Sequence, residues 1–540
     1  MNQNNDPERL LKLFIVLIVA VAAMLRFRNI FSALEYDEIW TLENFSNLPV
    51  FKLLTELALP NNQPLNSLFV KLTALLNAPV WTIRLHSLIA ALLTLPLTGF
   101  IAYILSGKSK IAGAACMFFM ALSAPDIAYA TLARGYALQV FFLALYGAGL
   151  ASTGSLRPTG KISRYLPECA VALGGVCAIL TLPTSIIYLS SITLAAFLIH
   201  PGKPCRALIT VLGGGVVFTL AWCLFNYQQL DAARVWGSKI SSFADFYGFL
   251  AVTAAHLLPP VLLLVSCIAF KSIPRKTLPL LLIILLPLLS AVITNAGPPR
   301  TYIPFGAVFA ITAGCGMSEL LQKVKKNYAI ALCILVGFLC FWEFSWRQKS
   351  WYTPDSKEVF KQASQEPLTT LVVHRATAGY PLAWNNRPEV YNDFVKRLLE
   401  HSTELLMFDG PGRINGTSAN GAESVLVTTE TGKETICSGV HGRRYQLLEL
   451  TAPPSPGTLV FIAIRPVPRA TYSATLRQLG ESGIQWLKLN SWLCCPINRP
   501  EETYFYTLLA GKVQKNDAEY WQTLINNNGM LSVYRIADPK

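Results

Sequence analysis

About eleven stretches of this chain are apolar over close to the length that crosses a bilayer, and all of them fall before residue 350. A spanning helix needs roughly 20 mostly apolar residues, because lipid offers no partner to an unpaired backbone group. The stretches lie near 10–28, 84–105, 111–124, 135–153, 166–182, 184–199, 207–225, 248–270, 278–294, 303–320 and 328–346. This spacing predicts a polytopic α-helical membrane protein with about 11 transmembrane helices. Only 14% of the residues are charged, against roughly 25% in a soluble protein, which excludes an ordinary soluble enzyme and a disordered chain.

Charge gives the orientation. Alternate connections hold Lys108 and Lys110; Arg157, Lys161 and Arg164; Lys203 and Arg206; Lys271, Arg275 and Lys276; and Lys323, Lys325 and Lys326. Arg9 and Lys12 precede the first run. By the positive-inside rule these segments face the cytoplasm. The connections 29–83, 125–134, 226–247 and 295–302 then lie outside, as does everything after residue 350. The net charge of +14 is accounted for by these loops, so nothing points to nucleic acid. The first run also fits a signal peptide, with Ala20 and Ala22 near a weak cleavage pattern. The count of eleven takes it as a retained helix.

The composition changes near residue 350. Residues 351–540 carry 19 basic and 18 acidic side chains and are near neutral. Strand-like runs at Thr370–Val373, Ser424–Thr428, Leu459–Ile464 and Leu531–Ile536 alternate with helical patterns at Tyr472–Leu479 and Ala518–Ile525. The expected organisation is a transmembrane domain over 1–350 and an extracytoplasmic α/β domain over 351–540. Cys437, Cys494 and Cys495 allow one disulfide in an oxidising exterior, and the spacing does not select the pair. Asn415-Gly-Thr417 is a glycosylation sequon, a pattern that often arises by chance.

The outer loops hold the reactive side chains. The first opens with Glu35-Tyr36-Asp37-Glu38 and continues with Trp40, Leu42, Phe45, Leu48, Phe51 and Leu54, spaced for one face of a helix lying on the membrane. A second amphipathic stretch follows Pro64 and is read as interfacial, since Asn66 and Lys71 interrupt it. Asp37 and Glu38 form an acidic pair just above the bilayer. There a carboxylate is suited to act as a base, or simply to cap the helix. Arg84, Arg134 and Arg300 all fall at the outer membrane face. An arginine there can hold a phosphate through its planar fork, or snorkel to lipid headgroups. Three of them at one depth, with an acidic pair, favour a site. The loop with Asp231, Arg234, Trp236, Lys239 and Asp245 reads as a mobile acceptor or donor lid or, slightly favoured, a solvated connection, and His86 and His256 read as structural. No cluster of His, Asp and Glu marks a metal site, so none is expected.

These residues carry a family resemblance. In order they are Leu25-Arg26-Phe27, Tyr36-Asp37-Glu38 with Trp40-Thr41-Leu42, Asn62-Gln63-Pro64-Leu65, Ile83-Arg84-Leu85-His86-Ser87-Leu88, and Ala133-Arg134-Gly135-Tyr136-Ala137-Leu138. Together they resemble the bacterial relatives of the protein O-mannosyltransferases and the lipid A aminoarabinose transferases. The resemblance covers roughly residues 10–150, and Pro299-Arg300-Thr301-Tyr302 adds a weaker match. It implies the GT-C fold of integral-membrane glycosyltransferases, a polyprenyl-phosphate-linked sugar as donor, and a lipid, glycan or protein acceptor. It also implies Asp37 as the base that activates the acceptor hydroxyl, with Glu38 in support. Arg84, Arg134 and Arg300 would bind the donor phosphate. No cofactor is implied, and no divalent cation is expected, since arginines stabilise the departing phosphate. The expected location is a bacterial inner membrane. Two features depart from the pattern: Gln63-Pro64-Leu65 lacks the cation found in relatives, and the second outer loop has Arg134-Gly135 where some relatives carry an acid. Neither a sugar specificity nor a second carboxylate is therefore carried over. The rival classes are a transporter or lipid flippase, a scaffold whose outer domain binds partners, and a transferase using a lipid-diphosphate donor.

Overall fold

The computed structural model describes residues 7–55, 63–76, 79–155, 161–199, 216–230 and 240–351, apart from scattered positions in these ranges, and beyond 351 the residues of seven strands. The chain divides into two compact units: Met1–Phe31 with Leu48–Gln348, and Ser32–Asn47 with Lys349–Lys540.

The first unit is helical. Its helices are α1 (Pro7–Phe27), α2 (Val50–Thr55), α3 (Pro64–Ala74), α4 (Leu85–Leu105), α5 (Lys110–Ala121), α6 (Ala124–Ala130) and α7 (Gly135–Ser155). Next come α8 (Lys161–Thr181), α9 (Ser185–Ile199), α10 (Val216–Phe225), α11 (Phe243–Leu257) and α12 (Pro260–Ser272). The last are α13 (Leu282–Thr294), α14 (Pro304–Lys323) and α15 (Lys326–Trp351). Among the described residues, five segments are long and apolar enough to cross a membrane: Glu8–Phe27, Trp81–Leu105, Gly135–Thr153, Pro274–Thr294 and Arg300–Lys323. The pair α5–α6, bent by 64°, makes a sixth if counted as one broken span. Tyr165–Thr181, Ser185–Ile199, Pro260–Ser272 and Ala331–Ser345 are apolar but shorter. The chain is thus a multi-pass membrane protein.

Burial fits that solvent. On α1, Leu13, Val16, Leu17 and Met24 are each more than half exposed, an arrangement suited to lipid and costly in water. α3 is turned the same way. Asn66 and Ser67 are buried, while Leu72, Leu75 and Leu76 at and just past its end point outward. α2 presents Phe51, which the sequence places on a membrane-lying face, outward and buries Leu53.

α14 is the axis of the unit, with every residue from Pro304 to Ser318 buried. Between helices in lipid there is little hydrophobic drive, so close backbone approach and polar contacts hold the pairs. A Cβ at Gly314 would lie 2.6 Å from the Ala112 carbonyl oxygen of α5, and one at Gly316 would overlap the Val265 carbonyl of α12. Ser266 and Thr312 share a hydrogen bond of 2.8 Å across α12 and α14. The run 248–270, expected as one helix, is two. Pro259 and Pro260 offer no N–H to the preceding turn, and the helix stops at Leu257.

The described strands of the second unit are β1 (Thr370–His374), β2 (Glu404–Phe408), β3 (Glu434–Ile436), β4 (Tyr445–Leu447), β5 (Leu459–Ala463), β6 (Trp521–Asn527) and β7 (Leu531–Ile536). They form one mixed sheet in the order β3-β4-β2-β1-β5-β7-β6. β1 pairs in parallel with β2 and β5, and β2 with β4. The remaining pairs are antiparallel. Of the helix expected at Ala518–Ile525, the described part, Trp521–Ile525, is instead strand, in β6. Trp521, Thr523 and Ile525 favour a strand, and Asn528-Gly529 between two such runs is a hairpin signal. The expected strand at 424–428, the expected helix at 472–479, Asn415 and the three C-terminal cysteines lie outside the described residues.

Candidate active site

The segment that carries Arg134 is held from two sides. Thr131–Arg134 is a short turn between α6 and α7, and every residue in it is buried. The Asn66 side-chain amide on α3 donates to the Ala133 carbonyl at 3.0 Å. Ser87 Oγ on α4 donates to the Arg134 carbonyl at 3.3 Å. The Gly135 N–H donates to Gln63 Oε1. Gly135 has no side chain for a reason: a Cβ there would meet Thr181 Cγ2 at 2.8 Å and Gln63 Oε1 at 3.0 Å. Gln63 thus holds the backbone of the arginine segment.

His86 completes the clamp. Its Nε2 lies 2.8 Å from Asn66 Oδ1, and its ring stacks on Phe69 with centroids 5.4 Å apart. Asn66 Oδ1 can only accept, so Nε2 carries the proton. Asn66 therefore uses both ends of its amide, one on His86 and one on Ala133. His86 thus has a hydrogen-bond partner and a ring partner on α3.

Arg134 and Arg300 meet at one tyrosine. The Arg134 guanidinium stands 5.8 Å from the centre of the Tyr136 ring. Arg300 Nε donates to the Tyr136 hydroxyl at 3.0 Å. Arg300 sits on the 3₁₀ turn Pro299–Tyr302, which precedes α14. That turn is tied back by the Tyr188 hydroxyl of α9, which donates to the Thr301 carbonyl at 2.9 Å. Tyr129 of α6 packs edge-on against Tyr136 with centroids 4.8 Å apart. Arg134 is buried, and Arg300 is half-buried. Two cations around one aromatic phenol are a grouping suited to an anion.

Arg84 occupies the end of the 3₁₀ turn Val80–Arg84, directly before α4. It is fully buried, and its Nη1 donates to the Ile30 carbonyl at 2.8 Å. Ser87, one turn later on α4, is the residue that reaches Arg134. Arg84 therefore shares a helix end with the clamp.

Asp37 and Glu38 belong to the second unit. Both are helical; Glu38 is buried and Asp37 half-buried. The Thr41 hydroxyl donates to the Asp37 carbonyl at 2.8 Å, and the N–H groups of Phe45 and Ser46 both bond the Thr41 carbonyl at 3.1 Å. In the connection 226–247, Asp245 has a local task. It accepts from the Ser242 N–H at 3.0 Å and its own N–H donates to Ser242 Oγ at 3.1 Å, a capping box that starts α11. Among the described residues, no three His, Cys, Asp or Glu side chains converge into a set able to hold a metal ion.

Sequence reasoning did not foresee the contacts that Tyr136, Gln63, Asn66 and Ser87 make with the arginine segment and Arg300. Asn66 offered one signal: a polar residue in an otherwise apolar stretch at membrane depth is expensive and calls for a partner.

No family model matches the chain, and no curated protein matches it. Several solved structures are similar to it in fold. ArnT from Cupriavidus metallidurans in the apo state is 13% identical, over 97% of this chain and 99% of that one, with a TM-score of 0.46. The same protein bound to undecaprenyl phosphate is 12% identical over the same shares, with a TM-score of 0.44. The archaeal oligosaccharyltransferase AglB from Archaeoglobus fulgidus, in complex with an inhibitory peptide and a dolichol-phosphate, is 11% identical over 98% of this chain and 89% of that one, with a TM-score of 0.43. At these identities the likeness concerns the course of the chain alone.

Proposed function

We propose that this protein is a glycosyltransferase that moves a sugar from a polyprenyl-phosphate donor to an acceptor hydroxyl at the outer face of a bacterial inner membrane. The observation that carries the reading is the pair Arg134 and Arg300, joined through Tyr136 on a clamped segment at the helix ends. Fixed guanidinium groups at that depth suit a phosphate whose lipid tail stays in the bilayer. The order of motifs along the first 150 residues agrees with it.

In this reading Asp37 takes the proton from the acceptor hydroxyl, and Glu38 supports its charge. The acceptor oxygen attacks the anomeric carbon from the face opposite the phosphate. The new C–O bond forms as the bond from the anomeric carbon to the phosphate oxygen breaks, with inversion. The electron pair of the broken bond stays on the phosphate, where Arg134, Arg300 and Arg84 balance the charge that develops. Arginines then do the work a divalent cation does elsewhere, so activity should persist with a chelator present. The domain beyond residue 350 would lie in the periplasm.

Mass spectrometry of envelope lipids and glycans, in wild type and in an Asp37→Asn strain, tests this. The expected result is loss of one sugar-sized increment from a single acceptor, with its polyprenyl-phosphate donor accumulating. Unchanged pools with stably inserted protein would refute the transferase reading. A substrate gradient that collapses in the mutant would instead favour a transporter.

A further inference from the structure

Arg26 is a charged side chain that the proposed chemistry does not use, yet it is fully buried at the end of α1. Its Nη2 donates to the Met120 carbonyl at 3.1 Å, and its Nη1 to the Ala121 carbonyl at 3.2 Å and to Ala22 at 3.3 Å. Met120 and Ala121 are the last residues of α5. In an unbroken helix the Ala121 carbonyl would receive the N–H four residues on. That residue is Pro125, which has none. Nη1 therefore supplies the donor that the proline lacks.

The Met120 carbonyl accepts from the Ser123 N–H at 3.3 Å as well as from Arg26. Arginine is suited to this task, because its fork presents parallel donors to two adjacent carbonyls. In lipid such freed carbonyls have no water to turn to, and each is costly unless a side chain serves it. The charge is answered locally. Asp126, buried in the first turn of α6, attracts Arg26 electrostatically. Its Oδ2 has no hydrogen-bond partner among the described residues and stands near the Gly306 backbone of α14.

The break also aims the chain toward the arginine pair. α5 and α6 meet at 64°, and α6 runs straight into the Thr131–Arg134 turn. Tyr129, on the last turn of α6, packs on Tyr136. The angle of the break thus sets where the arginine segment emerges.

We propose that Arg26 is a positioning residue for the outer arginine pair: its guanidinium splices the proline break between α5 and α6 and so fixes the direction in which the chain delivers Tyr129, Arg134 and Tyr136. The positioning half rests on the reading of Arg134 and Arg300 as phosphate ligands; the splice itself does not.

The test compares full-length wild type, Arg26→Lys and the double variant Arg26→Leu with Asp126→Leu, each in lipid nanodiscs. The double change avoids leaving a lone buried carboxylate, which by itself would endanger folding. Amide hydrogen exchange is read over 118–136 and over 260–272 of α12, which does not touch Asp126, and binding of undecaprenyl phosphate is titrated as the probe. Exchange over 118–136 in the double variant should be about tenfold faster or more, with 260–272 unchanged. Probe affinity should fall about tenfold, and Arg26→Lys, with one compact donor head, should lie between. Unchanged exchange over 118–136, or equal acceleration in both segments, would overturn the splice. Faster exchange with unchanged affinity would overturn the positioning role. A wild type that binds no probe would refute the phosphate reading, while the exchange result would still decide the splice. If the double variant does not fold, Arg26→Lys carries the same comparison.

Discussion

At the scale of single residues, the proposed chemistry depends on how tightly the arginine segment is held. Gly135→Ala tests the clamp, since the new Cβ would press on Thr181 and Gln63. The Gln63 bond to the Gly135 N–H should be lost, with a cost of about 1–3 kcal/mol in unfolding free energy. A shift in the detergent unfolding midpoint would register it. Tyr136→Phe tests the joint. It removes the hydroxyl that accepts from Arg300 Nε and leaves the ring beside Arg134. The fold should persist, while binding of undecaprenyl phosphate weakens by about 1–2 kcal/mol, within what a hydrogen bond to a charged group contributes. Equal affinity in the variant would detach Tyr136 from the site. The candidate arginines were legible because a cation at a helix end stands out against apolar sequence. Their partners were not. Gln63, Asn66 and Ser87 act on backbone atoms of a segment some 50–70 residues away, and pairing of that kind leaves no local periodicity.

At the scale of elements, composition revealed most of the membrane helices, because a long apolar run has few structures open to it. Breaks were harder to read. Pro125 and Pro259 each stop a helix where the hydropathy runs on, and only the loss of an N–H marks the place. In the second unit, Ala518–Ile525 read as a helix because its apolar spacing over a few residues fits either period. Pairing with β7 decides for a strand. Contacts between helices were not legible at all, since a glycine in a span does not say which neighbour it admits. Gly316→Leu tests that packing. The side chain would drive into the Val265 carbonyl of α12, so α12 and α14 must part. Unfolding free energy should fall by about 1–3 kcal/mol or insertion should fail, whereas Leu264→Ala on the exposed side of α12 should change little.

At the scale of the whole molecule, the alternation of basic loops predicts a topology with the two ends on opposite sides of the membrane. Fusions of a periplasm-active reporter after residue 540 should be active, and fusions after Lys325 inactive. The reverse result would put the candidate site on the cytoplasmic face, where a lipid-linked donor is a poorer fit than a nucleotide sugar. Transfer of a sugar from a polyprenyl phosphate can be watched directly. Purified wild-type protein in nanodiscs is supplied with total membrane extract from the Asp37→Asn strain, and the lipids are followed by mass spectrometry. One polyprenyl-phosphate sugar should disappear, polyprenyl phosphate should appear in equal amount, and one acceptor should gain the sugar mass, all with a chelator present. An extract that stays unchanged beside folded, inserted protein would contradict the transferase reading.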